Sequence, residues 1–377
     1  MCQIIYNPQY KKYNLGANHP FDHARVEMVI DLMKELGYLK EMIVPDIASI
    51  DEILTIHGND YVSAVEDASL GKQVNDLEKF GLGTFDNPVV EGMAEGARYQ
   101  TGGTILGAQI LLENKAKKVL QLGGGFHHAH KNLAAGFCLY NDLAAAIKKM
   151  TGAGWHVAYL DIDVHHGDGV HEAFYSDENV MCISFHESGE YLFPGTGWIH
   201  ELGKGMGRSL KLNVPLEPFT EGESYIEVLK GIAEPALKWF KPDAVVIQAG
   251  ADAHFSDPLA DLMLTTQDFE IIFKTIIQIV DEYCNGRALF TLGGGYSITA
   301  ASRIWSILYM TLLGFDIPEK IPEEWRAKWE AKIGKKIPES FYDLLPAFEP
   351  IPRKDEINRH NKELIRRVMD AVAGDWI

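Results

Sequence analysis

Five short apolar runs rich in β-branched residues punctuate the chain, at 118–122, 156–162, 180–185, 244–248 and 288–292. Runs of this length, bounded by glycine and polar residues, predict strands buried on both faces. Helical patterns lie between several of them. Thr220-Glu221-Gly222-Glu223 has the spacing of a capping box and predicts a helix from there to about Phe240. Phe269, Phe273, Ile276 and Val280 mark one face of another helix. Strands alternating with helices predict an α/β fold: a single open, mostly parallel sheet with helices on both faces. From Ile317 onward the pattern changes, and Pro318, Pro322, Pro338, Pro346, Pro350 and Pro352 interrupt a charged stretch. A last amphipathic helix is expected at about 354–372, with Ile357, Leu364, Ile365, Val368 and Val372 inward. The segment 317–377 therefore reads as an extension packed on a domain of residues 1–316, not as a second domain.

The residues just beyond each predicted strand carry the chemistry. The first strand runs into Gly123-Gly124-Gly125-Phe126-His127-His128, and the second into Asp163-Val164-His165-His166-Gly167-Asp168-Gly169. The third leads to His186 and then Phe193-Pro194-Gly195-Thr196-Gly197. The fourth ends in Gly250-Ala251-Asp252, and the fifth in Gly293-Gly294-Gly295-Tyr296. In open α/β sheets, functional groups gather beyond the carboxyl ends of the strands. Polar, glycine-flanked clusters stand at that end of all five, so an active site is expected there.

Composition narrows the setting. Of 377 residues, 46% are hydrophobic and 23% charged, values ordinary for a soluble globular protein. No apolar run approaches the roughly 18 residues of a membrane span. The start of the chain, Met1-Cys2-Gln3-Ile4-Ile5-Tyr6, lacks the features of an export signal. The cysteines Cys2, Cys138, Cys182 and Cys284 show no C-x-x-C spacing, which argues against a disulfide framework or a cysteine metal site. A cytoplasmic location is the expectation. The net charge of −18 disfavours direct binding of nucleic acid and otherwise reads as a solubility feature.

The candidate chemistry starts from Asp163-x-His165, a carboxylate and an imidazole two residues apart, with Asp252 as a third donor from another strand end. Three protein ligands and an open position make a catalytic metal site, suited to zinc and accepting iron(II) or cobalt(II). Alone, such a pair more often caps a helix or satisfies loop amides; the neighbouring clusters tip the balance. His127-His128 supplies a candidate general base, and Asp161 and Asp168 could each orient one imidazole. Tyr296, with a phenol that ionises near pH 10, could donate to a developing oxyanion. Together these groups can hydrolyse an amide through a tetrahedral intermediate without a serine or cysteine nucleophile.

With those motifs in order along it, the chain resembles the zinc-dependent histone deacetylase superfamily, most closely its prokaryotic acetoin-utilisation deacetylases. The matching pieces are Asn18-His19-Pro20-Phe21 with Arg25, Gly81-Leu82-Gly83-Thr84-Phe85-Asp86, and Gly124-Gly125-Phe126-His127-His128-Ala129. Gly136-Phe137-Cys138, the run from Asp161 to Gly169, Phe193 to Gly197, Gly250-Ala251-Asp252 and Gly293 to Tyr296 continue the series. The resemblance implies an arginase/deacetylase-like fold, and zinc held by Asp163, His165 and Asp252. It pairs His127 with Asp161 and His128 with Asp168, the latter histidine acting as base, and has Tyr296 polarise the scissile carbonyl. It implies a tunnel lined by Gly136, Phe137 and Phe193, with Asp86 at the rim gripping substrate amides and Arg25 at the inner end near an acetate exit. Structural potassium is implied at two places. The first would use Asp161, Ser184 and the backbone carbonyls of Asp163, His165 and Phe185; the second would use carbonyls of Phe174, Asp177 and Val180.

The implied substrate is an acylated protein or peptide, and the activity removal of acetyl or another short acyl group from lysine. An acetylpolyamine amidohydrolase is the main alternative, sharing the metal site but taking small cations; Asp86 favours the peptide. A ureohydrolase would need further carboxylates after Asp252, and a non-enzymatic acetyl-lysine reader would have lost Tyr296 or a ligand. His254, two residues after Asp252, departs from the family pattern and is expected to be a solvated loop residue or, less readily, to face the tunnel mouth.

Overall fold

The computed structural model describes residues 2–16 and 19–376; Asn18, the first residue of one matched motif, lies outside them. In chain order the regular elements begin with β1 (Cys2–Ile5), α1 (Ala24–Glu35), β2 (Met42–Ile43), α2 (Ile50–Ile53), α3 (Asn59–Ser69) and α4 (Met93–Leu112). Then come β3 (Lys118–Gln121), α5 (Asp142–Gly152), β4 (Val157–Asp161), α6 (Asp168–Ala173), β5 (Val180–Glu187) and β6 (Lys211–Leu216). The last third holds α7 (Gly222–Phe240), β7 (Ala244–Gln248), α8 (Thr266–Tyr283), β8 (Ala288–Thr291), α9 (Ile298–Leu313), α10 (Glu323–Ile333) and α11 (Lys354–Ala373).

All eight strands form one sheet in the order β2-β1-β3-β8-β7-β4-β5-β6, and every pairing is parallel. The predicted fold class stands. Strands β4, β5 and β7 are buried at every position, which is why they read as continuous apolar runs and not as alternating ones. The packing of α7, α8, α9 and α1 covers one face, through residues such as Leu229, Phe273, Ile304 and Val29. Helices α4 and α5 cover the other, through Leu111, Leu143 and Ile147.

Three strands escape the apolar-run criterion. β1 and β2 are short, and β6 contains Lys211, Asn213 and Pro215. Proline is tolerated in β6 because this strand is at the sheet edge. The expected capping box at Thr220 does not form: the N-cap of α7 is Glu221, without a side-chain cap, and the Thr220 hydroxyl instead donates to the Glu217 carbonyl at 2.6 Å. A capping box exists at the next helix, where Thr265 and Asp268 exchange bonds at the start of α8. Past residue 316, Ile321, Trp325, Trp329, Ile337 and Phe341 enter the same core as the sheet. Helix α11 buries Ile357, Leu364, Val368 and Val372 as expected, while Ile365 stays partly buried and Asn361 takes the remaining inward place. Asn361 reaches that position because its amide bonds the Thr220 and Ser224 hydroxyls at 2.8 and 3.0 Å. Among the described residues, no helix is long and apolar enough to cross a membrane.

Candidate active site and metal centre

The carboxyl end of β4 carries the chain from Asp161 through Asp163 to His165, and the end of β7 leads to Asp252. These strands are direct neighbours, with Asp161 opposite Gln248. The adjacency brings Asp163, His165 and Asp252 together, all buried, with one donor atom from each within 4.8 Å of the others. His165 Nδ1 lies 3.1 Å from Asp163 Oδ1 and 3.2 Å from Asp252 Oδ2. The outward oxygens are already committed. Asp163 Oδ2 accepts from Gln248 Nε2 at 2.6 Å and from the Gly294 amide at 2.8 Å, while Asp252 Oδ1 accepts from the Val164 amide at 2.9 Å.

That leaves one nitrogen and two oxygens converging on a single point. Two carboxylates in so dry a place call for a cation. Burial, and next the charge of Asp163, push the Asp252 carboxyl up to about 8. Burial pulls the His165 imidazole down, but bonding and attraction to the two carboxylates outweigh it and raise it to about 10. A metal ion in this position would satisfy both carboxylates at once, and the donor set fits zinc or another N/O-binding divalent ion. Gly294 is required for the same reason: a side chain there would run into the Asp252 and Asp163 carboxylates.

Beside the cluster stand the two histidines. His127 Nδ1 is 2.8 Å from Asp161 Oδ2, and His128 Nδ1 is 2.7 Å from Asp168 Oδ1. Each carboxylate holds its imidazole with Nε2 directed away from it, the tautomer that a general base needs. The ring centroids are 4.0 Å apart, so the two imidazoles compete for charge. Burial disfavours a charged His127, yet Asp161 and then Asp163 overcome this and raise it to about 9. His128 moves the other way, to about 4, through burial and the proximity of His127, with Asp168 opposing. Gly136 approaches the His128 ring closely enough that a Cβ would strike it.

Tyr296 follows the end of β8. Its amide and that of Ser297 donate to Asp257 Oδ2 at 2.7 and 3.2 Å. Burial, then Asp252 and Asp163, hold its phenol well above 10, so it stays a proton donor. Arg25, buried, donates to the carbonyls of Gly293 and Gly295 at 3.3 and 2.7 Å and lies over the Tyr296 ring, 5.7 Å from its centroid. It thus grips the glycine turn that presents Tyr296. His127, His128, Gly136, Phe137 and Tyr296 line one narrow cavity. Phe193, 45% exposed, packs edge-on against His128 at 5.0 Å. Phe137 is T-shaped to Tyr296 at 5.5 Å and to His19 at 4.5 Å. His19 Nε2 in turn meets the Asp86 carbonyl oxygen at 3.3 Å; Asp86 is partly buried and its neighbour Phe85 exposed.

Several contributors lie outside the sequence-predicted set. Gln248 braces Asp163, Asp257 braces the Tyr296 amide, Tyr159 donates to Asp161 Oδ2 at 2.6 Å, and His130 Nε2 is 3.3 Å from Asp168 Oδ2. Gln248 carried one available signal, a polar residue closing an otherwise apolar strand; the others gave none. One expectation is corrected. His254 is neither solvated nor at the mouth: it is 1% exposed, with Nε2 2.9 Å from Asp343 Oδ2 and Nδ1 2.9 Å from Ser256 Oγ. At the second implied potassium site, the Asp177 and Val180 carbonyls already face the Lys211 ammonium, at 3.5 and 2.6 Å, and the Phe174 carbonyl accepts from the Asp177 amide at 3.0 Å. The side-chain oxygens named for the first site start from neighbouring positions, since Asp161 and Ser184 are opposite each other on β4 and β5.

Comparison with known proteins finds likeness along nearly the whole chain. The model of the histone deacetylase domain matches residues 19–312. The acetoin utilization protein AcuC of Bacillus subtilis (strain 168) is 38% identical over 99% of this chain and 97% of its own length. AcuC of Staphylococcus aureus (strain MSSA476) is 35% identical over 96% and 94%. Among solved structures, an HDAC homolog complexed with SAHA superposes with a TM-score of 0.85 at 27% identity, covering 96% of this chain and 99% of that one. An HDAC homolog from Aquifex aeolicus gives 0.83, also at 27%, with the same coverage.

Proposed function

Because the chain belongs to the histone deacetylase family, we propose that it is a zinc-dependent hydrolase of acetyl, or similarly short acyl, groups on lysine side chains of proteins or peptides. The observation that carries this reading is the meeting of the Asp163, His165 and Asp252 donor atoms beside a cavity lined by His127, His128 and Tyr296. Residues 1–316 would supply the chemistry, with 317–377 packed on them as part of the same domain.

Zinc, or iron(II) or cobalt(II) in its place, would supply Lewis acidity toward the acyl oxygen and a water acidic enough to be deprotonated near neutral pH. The protein's own groups do the rest. His128, kept neutral by burial and by its charged neighbour, takes a proton from the attacking water at Nε2. His127, held positive between Asp161 and Asp163, favours the negative charge that develops nearby. The Tyr296 phenol donates to the oxyanion as the carbonyl carbon becomes tetrahedral. His128 then returns its proton to the leaving amine. Phe137 and Phe193 give the lysine stem an apolar channel that excludes bulk water.

An Asp86 carboxylate at the entrance would suit a peptide, because it could accept from consecutive backbone amides in charge-assisted bonds. A free acetylpolyamine offers no such amide pair. The test is kcat/KM for acetyl-lysine peptides and acetylated polyamines, in the wild-type protein and in Asp86→Ala. The expected result is a peptide-preferring wild type and a variant that loses peptide turnover while keeping metal and polyamine turnover. A wild type that prefers the polyamine moves the assignment to acetylpolyamine amidohydrolase.

A further inference from the structure

Lys211 is the least expected side chain in the sheet. It is fully buried in β6, in register with Cys182 of β5. Burying an ammonium is unfavourable unless something replaces its hydration, and a carboxylate is the usual partner. Among the described residues Lys211 forms no ion pair. Its Nζ instead donates to the Val180 carbonyl at 2.6 Å and reaches the Asp177 carbonyl at 3.5 Å. Neutral carbonyl dipoles around one unit of positive charge are also how a dehydrated monovalent cation is held. These two carbonyls belong to the set that the family resemblance assigns to a second potassium ion.

The residues present do not fit that ion, since the ammonium already occupies the Val180 and Asp177 carbonyls and the Phe174 carbonyl accepts from the Asp177 amide. We propose that Lys211 is a covalently attached replacement for the second monovalent cation, so that this protein has no functional potassium site at Asp177 and Val180. The placement gives the replacement a purpose. Val180 opens β5, the strand that runs on to Ser184, and Asp177 lies in the turn leaving α6. The first residue of α6 is Asp168, which orients His128. A tethered ammonium pins this turn at any potassium concentration, whereas a diffusible ion would leave it when potassium fell. This inference concerns the cation of a scaffold segment and does not depend on which acyl substrate the enzyme takes.

The test compares the full chain with Lys211→Ala, which opens the position, and Lys211→Met, which keeps the stem and removes the charge. Thermal unfolding is followed as potassium chloride replaces choline chloride at constant ionic strength, and bound potassium is counted by equilibrium dialysis. Wild type should bind at most one potassium per chain. Lys211→Ala should be destabilised in choline and should gain a potassium-dependent rise in Tm about 3 °C or more beyond that of wild type, as ligand linkage requires of a newly opened site. Lys211→Met should be destabilised without that extra rise, because its stem still fills the space. Two potassium ions per wild-type chain would overturn the proposal even if neither variant folds, and so would an Ala variant whose potassium response equals that of wild type.

Discussion

His254 Nε2 and Asp343 Oδ2 lie 2.9 Å apart, joining the segment just after Asp252 to the part of the chain beyond residue 316. The other Asp343 oxygen accepts from Arg303 at 2.9 Å, and Asp343 Oδ2 also takes the Thr266 amide at 2.8 Å. His254 continues through Ser256 to Ser297, the neighbour of Tyr296, with a Ser256–Ser297 hydroxyl distance of 2.9 Å. One carboxylate thus ties α8, α9, the Asp252 loop and the extension together.

Removing Asp343 would strand a buried guanidinium. Asp343→Ala is expected to lower unfolding free energy by about 3–5 kcal/mol, the usual result of breaking one side of a buried ion pair. Urea denaturation measures it. A loss under about 1 kcal/mol would mean that water or a neighbour compensates and that the pair is not structural.

Asp252→Ala removes one of the three convergent donors together with one of two crowded carboxylates. Metal content and activity should vanish together, while the fold persists because the loss also relieves repulsion with Asp163. Elemental analysis beside circular dichroism reads both effects, and chelation of the wild-type protein should reproduce the activity loss. Full turnover in a metal-free preparation would contradict the metal assignment.

Tyr296→Phe deletes one hydroxyl and little volume, and Arg25 and Asp257 continue to hold the backbone of its loop. Turnover is expected to fall roughly a hundred- to a thousandfold with metal content unchanged. A fall of less than about threefold corresponds to under 1 kcal/mol of transition-state stabilisation and would reduce Tyr296 to a packing residue.

His130 gives a pH-dependent signature. Its bond to Asp168, then its bond to Glu172, raise its imidazole from 6.5 to about 10. A group whose folded-state affinity for protons is raised contributes stability that is complete below the unfolded value and is lost as pH climbs through the folded one. The stability gap between wild type and His130→Ala should therefore be full at pH 6, shrink above 6.5 and close by about pH 10. Denaturant titrations at three pH values test the trend, and a gap that stays constant across them would show that His130 acts by packing alone.

Fold class, the five central strands, the convergence of Asp163, His165 and Asp252, and the two histidine–aspartate pairs were legible in the chain by itself. The reason is that the same constraint shaped both. Strands buried on two faces must be continuously apolar, so the polar residues that end them stand out, and in a parallel sheet those ends share one edge. Tertiary structure alone decided what pairs with what across long separations. Gln248 with Asp163, Asp257 with the Tyr296 amide, His254 with Asp343 and Lys211 with Val180 leave little local pattern, because each bond joins positions 31 to 89 residues apart. A buried lysine in an edge strand and a histidine in a polar loop look like solvated residues in one dimension. Only when neighbouring strands and the returning C-terminal segment exclude water does each have to find a partner, and that exclusion is a property of the assembled fold.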